Sequence, residues 1–523
     1  MIRRSVTVLS FVLSVAAHAG AQQPPVESRL DGFDDYVARL LERWNVPGIG
    51  VGIVVKQQLI FAKGYGFRDL EKKLPYTPTT TQPIASNTKL FTAVAAGLLV
   101  EDGKLDWDKP IRTFVPSVKF SSDELDRTIT MRDMLSHRTG IAGHNGIWYK
   151  SDFTQKDIFD RLRYLDSAAP PRTTFLYNNL MYSAAGHAIE LLAGKPWQTV
   201  VTERILRPLG MTRTTFTIAD MVASSEAAVP YSERRGSGEL YRSSYYSDNV
   251  GLAPAAAMNS SVDDLSRWLI AIMNGGVYNG TRVIPRSVIR ETLAPTIALP
   301  NDELESNGWS EVLNSTYGMG RWTAAYRGHL ITYHGGIIRG FHSQVSMMPS
   351  DSIGVIVLAI GDHAASLPSI VSWNVYERLL GLPLTPWSQR MEAVRLASRK
   401  ANEMARAGTS ERRRPTSKPS HPLADYVGEF EHPAYGDLTI SRTDRSLVFG
   451  FHKIRLPLSH VHYERFDTPV DDEDGKWSVN FLRNTTGQVD RAEMPVDGAV
   501  VVCRRRPPAA LSNVARPRQQ SGR

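Results

Sequence analysis

Ser86 and Lys89 stand three residues apart in Pro83-Ile84-Ala85-Ser86-Asn87-Thr88-Lys89, the chain's only Ser-x-x-Lys. A Pro-containing approach runs there into an apolar, Ala-rich segment that reads as a buried helix, with Ser86 in its first turn. Residues three apart share a helix face, so the serine oxygen and the lysine amine become neighbours without tertiary help. The helix N-terminus adds donors and positive potential where an oxyanion would form. This is the layout of a nucleophile with its base; the competing reading is a serine cap and a solvated lysine.

Two further groups lie downstream. Tyr177-Asn178-Asn179, the only Tyr-x-Asn, stands just before a helix. A tyrosine hydroxyl near lysine can shuttle a proton, and the Asn179 amide can orient both a substrate amide and the lysine. The same three residues also read as a helix cap with a packing tyrosine. His334-Gly335-Gly336 follows a strand and leads into Ile337. Paired glycines let a backbone approach a ligand closely, and the histidine offers a donor or a proton relay; alternatively this is a strand-end turn with a surface histidine. His144-Asn145-Gly146 repeats the pattern with no strand before it and is set aside as a decoy. There is no Gly-x-Ser-x-Gly elbow, His-Glu-x-x-His helix or Walker-type loop, and the acidic run from Asp471 to Gly475 lacks the alternation of a calcium loop and reads as a solvated turn. No metal and no organic cofactor are expected.

The elements that must hold these groups follow from patterning. Phe33, Tyr36, Val37, Leu40 and Leu41 fall at helical spacing, and Gly48 to Val55 with Gln58 to Tyr65 reads as a hairpin. Helices are expected at Thr130 to Ser136, Asn179 to Ala193 and Asp263 to Asn274. Sheet-like sequence returns at His329 to Tyr333, His342 to Met348 and Ile353 to Ile360, before a helix from Ser369 to Leu380. Strands at both ends with helices between imply one sheet closed by the two ends of the domain and carrying a helical insertion, with a cleft between sheet and helical lobe. A charged helical stretch then gives way to a Pro- and Arg-rich linker. Beyond it, segments such as Gly436 to Ser441, Leu447 to Phe451, Trp477 to Arg483 and Ala499 to Cys503 alternate with Gly and Asp turns, as in a small all-β domain.

The 523 residues suffice for two folded units. Arg3 and Arg4, an apolar run from Val6 to Ala17 and Ala19-Gly20-Ala21 make residues 1–21 a secretory signal peptide, cut after Ala21 or Ala19. Its apolar run is too short for a bilayer of about 30 Å, so a secreted or periplasmic protein without a membrane span is expected. Cys503 is the only cysteine, which excludes an intrachain disulfide and a Cys ligand set. The net charge of +8 is concentrated between Arg395 and Lys418 and from Arg504 onward. That distribution describes a basic linker and tail rather than a nucleic-acid surface. Partners are accordingly limited to a small-molecule or peptide substrate, with the oligomeric state open.

Ser86-x-x-Lys89, Tyr177-x-Asn179 and His334-Gly335-Gly336, in that order, resemble the serine hydrolases related to class C β-lactamases and penicillin-binding proteins. The words Met134-Leu135-Ser136-His137-Arg138-Thr139-Gly140-Ile141, Arg207-Pro208-Leu209-Gly210-Met211, Ser260 to Trp268 and Tyr317-Gly318-Met319-Gly320 agree. His421-Pro422-Leu423-Ala424-Asp425-Tyr426-Val427-Gly428 and Tyr435-Gly436-Asp437-Leu438 resemble the lipocalin-like β domain appended to many of them. The resemblance implies an α+β fold, an antiparallel sheet flanked by helices with a helical insertion, over 30–382. A basic linker at 383–421, a C-terminal β domain at 422–505 and a disordered tail at 506–523 complete the expected organisation. It also implies an acyl-enzyme on Ser86, with Lys89 and Tyr177 managing its proton. Asn179, His334, Gly335, Gly336 and Ile337 would bind substrate, and the backbone N–H groups of Ser86 and Ile337 would form an oxyanion hole. Histidine at 334, where many β-lactamases carry lysine, is commoner among the family's esterases and peptidases. An unperturbed histidine is mostly neutral at pH 7, so weak recognition of a substrate carboxylate is expected. The expected activity is hydrolysis of a small acyl ester or a D-amino-acid or peptide-type amide. The alternatives are a true class C-like β-lactamase or a cell-wall D-Ala carboxypeptidase and, from another class, a catalytically silent binding protein.

Overall fold

Gly48-Ile49-Gly50-Val51-Gly52-Ile53 alternates glycine with β-branched residues, and in the computed structural model this segment is an interior strand, itself buried on both faces, of a large sheet. The structure describes residues 26–234, 237–246, 250–300, 308–411, 418–444, 446–471 and 473–507. The expected signal peptide at 1–21, and the tail beyond Pro507, lie outside them. The sheet strands are β1 (Gly48–Val55), β2 (Gln58–Asp69), β3 (Leu74–Pro75), β4 (Ile297–Ala298), β5 (Val312–Tyr317), β6 (Trp322–Tyr326), β7 (His329–Ile338), β8 (Phe341–Met348) and β9 (Ile353–Ile360). Among the described residues they form one antiparallel sheet in the order β4-β5-β6-β7-β8-β9-β1-β2-β3. β1 pairs with β9, Ile49 opposite Ala359 and Val55 opposite Ile353, so the two ends of the domain do close a single sheet.

The principal helices are α1 (Phe33–Trp44), α2 (Thr88–Glu101), α3 (Asn179–Ala193), α4 (Val262–Met273), α5 (Leu367–Leu380) and α6 (Trp387–Glu411). Ile49, Val51 and Ile53 face a core shared with Phe33, Val37 and Leu40 of α1 and Ile370, Val371 and Val375 of α5. The glycine face of β1 receives α4: a Cβ on Gly52 would sit 2.7 Å from a methyl of Val262, so only glycine lets that helix lie so close. The helical insertion containing α2 and α3 completes this second layer, and the site lies where it meets β7.

Two segments differ from the sequence-based expectation. His334, Gly335 and Gly336 do not end a strand; they continue β7 to Ile338 because each pairs with β8, Gly336 opposite Ser343. The stretch at 383–421 is not all linker. The charged helical stretch expected there is α6, which takes up most of it, and Trp387 and Met391, one turn apart, are buried. Trp387 packs on Trp309 at 5.1 Å and donates from Nε1 to Glu377 at 3.2 Å. Residues 412–417 of the expected linker lie outside the described residues.

The second unit is a closed barrel of eight antiparallel strands: β10 (Gly428–His432), β11 (Gly436–Arg442), β12 (Leu447–Phe451), β13 (Ile454–His462), β14 (Arg465–Asp467), β15 (Ser478–Arg483), β16 (Val489–Val496) and β17 (Ala499–Arg505). β10 closes on β17 through Phe430 opposite Arg505. Phe430, Phe449, Phe451, Phe466, Phe481 and Met494 are buried in it. Arg506, at the start of the expected tail, reaches back to Glu429, Glu431 and Asp437.

Because α6 is held by a buried tryptophan, Trp387→Ala is expected to cost about 3–5 kcal/mol in urea unfolding of the first domain. A loss under about 1 kcal/mol would instead mark this segment as linker.

Candidate active site

Ser86 occupies a 3-10 turn, Ala85–Asn87, that opens directly into α2. The residue before it, Ala85, is held at φ 46°, a left-handed conformation that costs a non-glycine residue about 1–3 kcal/mol. Surrounding bonds hold it there. The Ile84 N–H donates to the Met258 carbonyl at 2.9 Å. Ser343 Oγ on β8 donates to the Ile84 carbonyl and accepts from Asn87 Nδ2, both at 2.8 Å. β7 presses on the same turn: a Cβ on Gly336 would fall 2.1 Å from the Ile84 carbonyl oxygen and 2.3 Å from Ser343 Oγ. Gly336 is therefore glycine because a backbone has to pass there.

Lys89 is fully buried. Its Nζ lies 3.1 Å from Ser86 Oγ, 2.7 Å from Asn179 Oδ1 and 3.0 Å from the Ala255 carbonyl oxygen. The rings of Tyr177 and Tyr182 stand 4.9 and 5.3 Å away. Burial pushes the amine's pKa well below that of an ordinary lysine. A neutral amine has two N–H bonds and one lone pair. The Asn179 and Ala255 oxygens can only accept, so they take the two N–H bonds and leave the lone pair facing the Ser86 hydroxyl.

Tyr177 stacks on Trp322 with ring centroids 5.9 Å apart and planes 8° from parallel. Burial raises its pKa, the bonded Ser86 hydroxyl pulling the other way, so it is a neutral phenol. The neighbouring Asn178 caps α3 by accepting from the Met181 N–H at 3.2 Å. The cap thus falls to Asn178, while Asn179 and the ring of Tyr177 stand beside Lys89.

His334 departs from the expectation of a group facing substrate. It is buried on β7, its Nδ1 2.6 Å from the Gly335 carbonyl and its Nε2 3.1 Å from the Tyr317 hydroxyl. A carbonyl only accepts, so Nδ1 carries the hydrogen and Nε2 accepts from Tyr317. Burial, then the charges of Lys89 and Arg321, hold its pKa well below the histidine range. Ile337 instead reaches the cleft, with 71% of its surface exposed. His137 and Tyr317 stand inside the family's words, where spacing alone gave them no role. The His137 ring lies 4.2 Å from that of Tyr177, and its Nδ1 accepts from the Asn178 N–H at 3.0 Å. Burial, then the neighbouring Lys89 and His334, hold the pKa of His137 well below the histidine range.

The cleft, about 230 Å³, is lined by Ser86, Asn179, Ile337, Ile338 and Arg339 together with Trp148, Tyr149, Ile218, Tyr246 and Leu252. It is an apolar trough with the nucleophile candidate in its floor. The acidic run at 471–475, read as a solvated turn, lies against its rim, where Glu473 pairs with Arg339 at 3.0 Å. Among the described residues no cluster of His, Cys, Asp and Glu is arranged to hold a metal ion.

The family model described as Beta-lactamase matches residues 33–370, and one described as a domain of unknown function, DUF3471, matches 412–503. The unguisins hydrolase ungD of Aspergillus violaceofuscus is 28% identical over 435 residues, covering 79% of this chain and 76% of that protein. Among solved structures, the octameric penicillin-binding protein homologue from Pyrococcus abyssi superposes with a TM-score of 0.60 at 20% identity, over 91% of this chain and all of that one. The D-amino acid amidase from Ochrobactrum anthropi SV3 gives 0.54 at 22% identity, over 68% of this chain and 97% of that one. At these identities the structural likenesses speak for the fold.

If the lone pair of Lys89 takes the serine proton, kcat/KM must rise with pH as the amine deprotonates and level off above its lowered pKa. Lys89→Met should reduce acylation about 10²–10⁴-fold and abolish that ascending limb. A limb surviving in the variant would assign it to another group.

Proposed function

Because the chain belongs to the beta-lactamase family and is a serine hydrolase, we propose that it cleaves an ester or amide bond through an acyl-enzyme on Ser86. The observation that carries this reading is the placement of Lys89 Nζ, 3.1 Å from Ser86 Oγ with its other two bonds spent on acceptors. Ser86 Oγ attacks the substrate carbonyl as its proton passes to Lys89. The oxyanion is received by the N–H groups of Ser86 and Ile337. The proton returns to the leaving group through the hydroxyl of Tyr177, which hydrogen-bonds Ser86. Water then repeats the sequence on the acyl-enzyme. Between the two candidate bases, the lowered pKa of Lys89 and the raised pKa of Tyr177 favour the lysine as proton acceptor.

The apolar trough suits a small acyl ester or a D-amino-acid or peptide-type amide with a hydrophobic side chain. The name of a similar protein, an unguisins hydrolase, agrees with hydrolysis as the reaction. Arg3, Arg4 and the apolar run to Ala17 support export to the periplasm or beyond, with residues 1–21 removed.

Ser86→Ala is expected to abolish labelling by a fluorophosphonate and the acyl-enzyme mass shift with a short-chain p-nitrophenyl ester. Its unfolding free energy should stay within about 1 kcal/mol of wild type, since a half-exposed hydroxyl contributes little packing. Labelling of the variant at the wild-type rate would remove Ser86 from the mechanism.

A further inference from the structure

The barrel meets the mouth of the cleft through one turn. Arg339 follows Ile337 and Ile338 along the cleft wall, yet its guanidinium is committed to the barrel. Its Nη1 lies 3.0 Å from Glu473 Oε2, and its Nη2 donates to the Glu473 carbonyl at 3.2 Å. A weaker contact to the Tyr149 hydroxyl, at 3.4 Å, comes from the cleft itself. Lys150 is answered in the same way, 2.5 Å from Asp474 and 3.4 Å from Glu473. Two cations of the cleft rim thus meet two carboxylates of the barrel. Only 13% of the Arg339 side chain and 16% of that of Lys150 remain exposed, so neither has room for a second anion.

The turn is built to stay there. Asp471 Oδ1 accepts from the N–H groups of Glu473 and Asp474, both at 2.8 Å, and Trp477 Nε1 donates to the Asp474 carbonyl at 2.9 Å. Ser244 Oγ, from the first domain, donates to Glu473 Oε1 at 2.8 Å. Elsewhere on the same contact, His144 Nδ1 is 2.8 Å from the Tyr435 hydroxyl and Gly146 donates to Asp497 at 3.2 Å.

We propose that Glu473 is a specificity residue of the cleft: by saturating Arg339 it withholds that guanidinium from the substrate. The site then favours neutral, hydrophobic substrates and disfavours those bearing a carboxylate beside the scissile group. This rests on the assignment of Ser86 as nucleophile. Removing the glutamate charge turns Arg339 into a donor for a substrate carboxylate, and charge-assisted bonds of that kind are roughly twice as strong as neutral ones.

The test uses the full chain and two matched substrate pairs, since a carboxylate can sit on either side of the ester. One pair is p-nitrophenyl hexanoate and mono-p-nitrophenyl adipate; the other is phenyl butyrate and 4-carboxyphenyl butyrate. In Glu473→Gln the ratio of kcat/KM for the carboxylate member over the neutral member should rise about 10- to 100-fold in at least one pair. It should return to near the wild-type ratio in the double variant Glu473→Gln, Arg339→Gln. Unchanged ratios in both pairs, or a raised ratio that survives loss of Arg339, would overturn the proposal. Wild type gives a second, variant-free test. With Arg339 already neutralised, its ratios should hold within about twofold between 20 and 500 mM salt; a steep fall would show a free Arg339 drawing the carboxylate in and overturn the proposal. Failure of the Ser86 assignment is seen separately, as fluorophosphonate labelling that persists in Ser86→Ala.

Discussion

A lysine amine taken out of water with no carboxylate beside it loses much of its hold on a proton, and the first domain is organised around keeping one in that condition. Lys89 is fully enclosed, and what surrounds it is either neutral or disfavours positive charge: Tyr177, Tyr182, His137 and His334. A single buried glutamate or aspartate among them would pair with the amine and fix it as an ammonium. Buried carboxylates do occur in the fold, but they are spent elsewhere. Glu377 is tied to Tyr326, Thr385 and Trp387, and Asp133 to Arg138 and Arg172. The separation of acidic residues from the lysine is as much a part of the site as the lysine itself.

The second constraint is steric. The turn that carries Ser86 is clamped between β7, β8 and the Met258 segment, and its strained Ala85 conformation persists because several bonds determine it at once. Gly336 and Ser343, on neighbouring strands and opposite one another, act on the same carbonyl of Ile84, one by absence of a side chain and one by a hydroxyl. Ser86 is thereby placed by two strands, β7 and β8, that lie far from it in sequence.

What could be read from the sequence was local. The Ser86 and Lys89 pair needed only one helical turn, and the β-branched and apolar runs of β1 and β9 needed only their own composition. The direction of His334 could not be read in this way, because which face of β7 it joins is fixed by pairing with β6 and β8. Trp387 was hidden by the charged residues around it in α6; one buried tryptophan and a methionine one turn on are enough to dock a helix that looks solvated. Glu473 belongs to a short acidic run that has the composition of a loop, and its partner Arg339 stands in the other domain. No period or motif connects the two.

The pairing of β1 with β9 also has a consequence for biogenesis. Ile49 has Tyr65 of β2 beside it early, but its neighbour on the other side, Ala359, comes much later, and the clamp on Ser86 waits for Ser343. At about 5–20 residues per second, β1, paired with β2 on one side, spends tens of seconds on the ribosome with its other side unpaired. During that time its run of valine and isoleucine is an open edge, the kind of surface that invites chaperones or self-association. The growing chain therefore remains inactive until nearly all of the first domain has been made, so a prematurely released fragment carries Ser86 and Lys89 in sequence but holds neither in place.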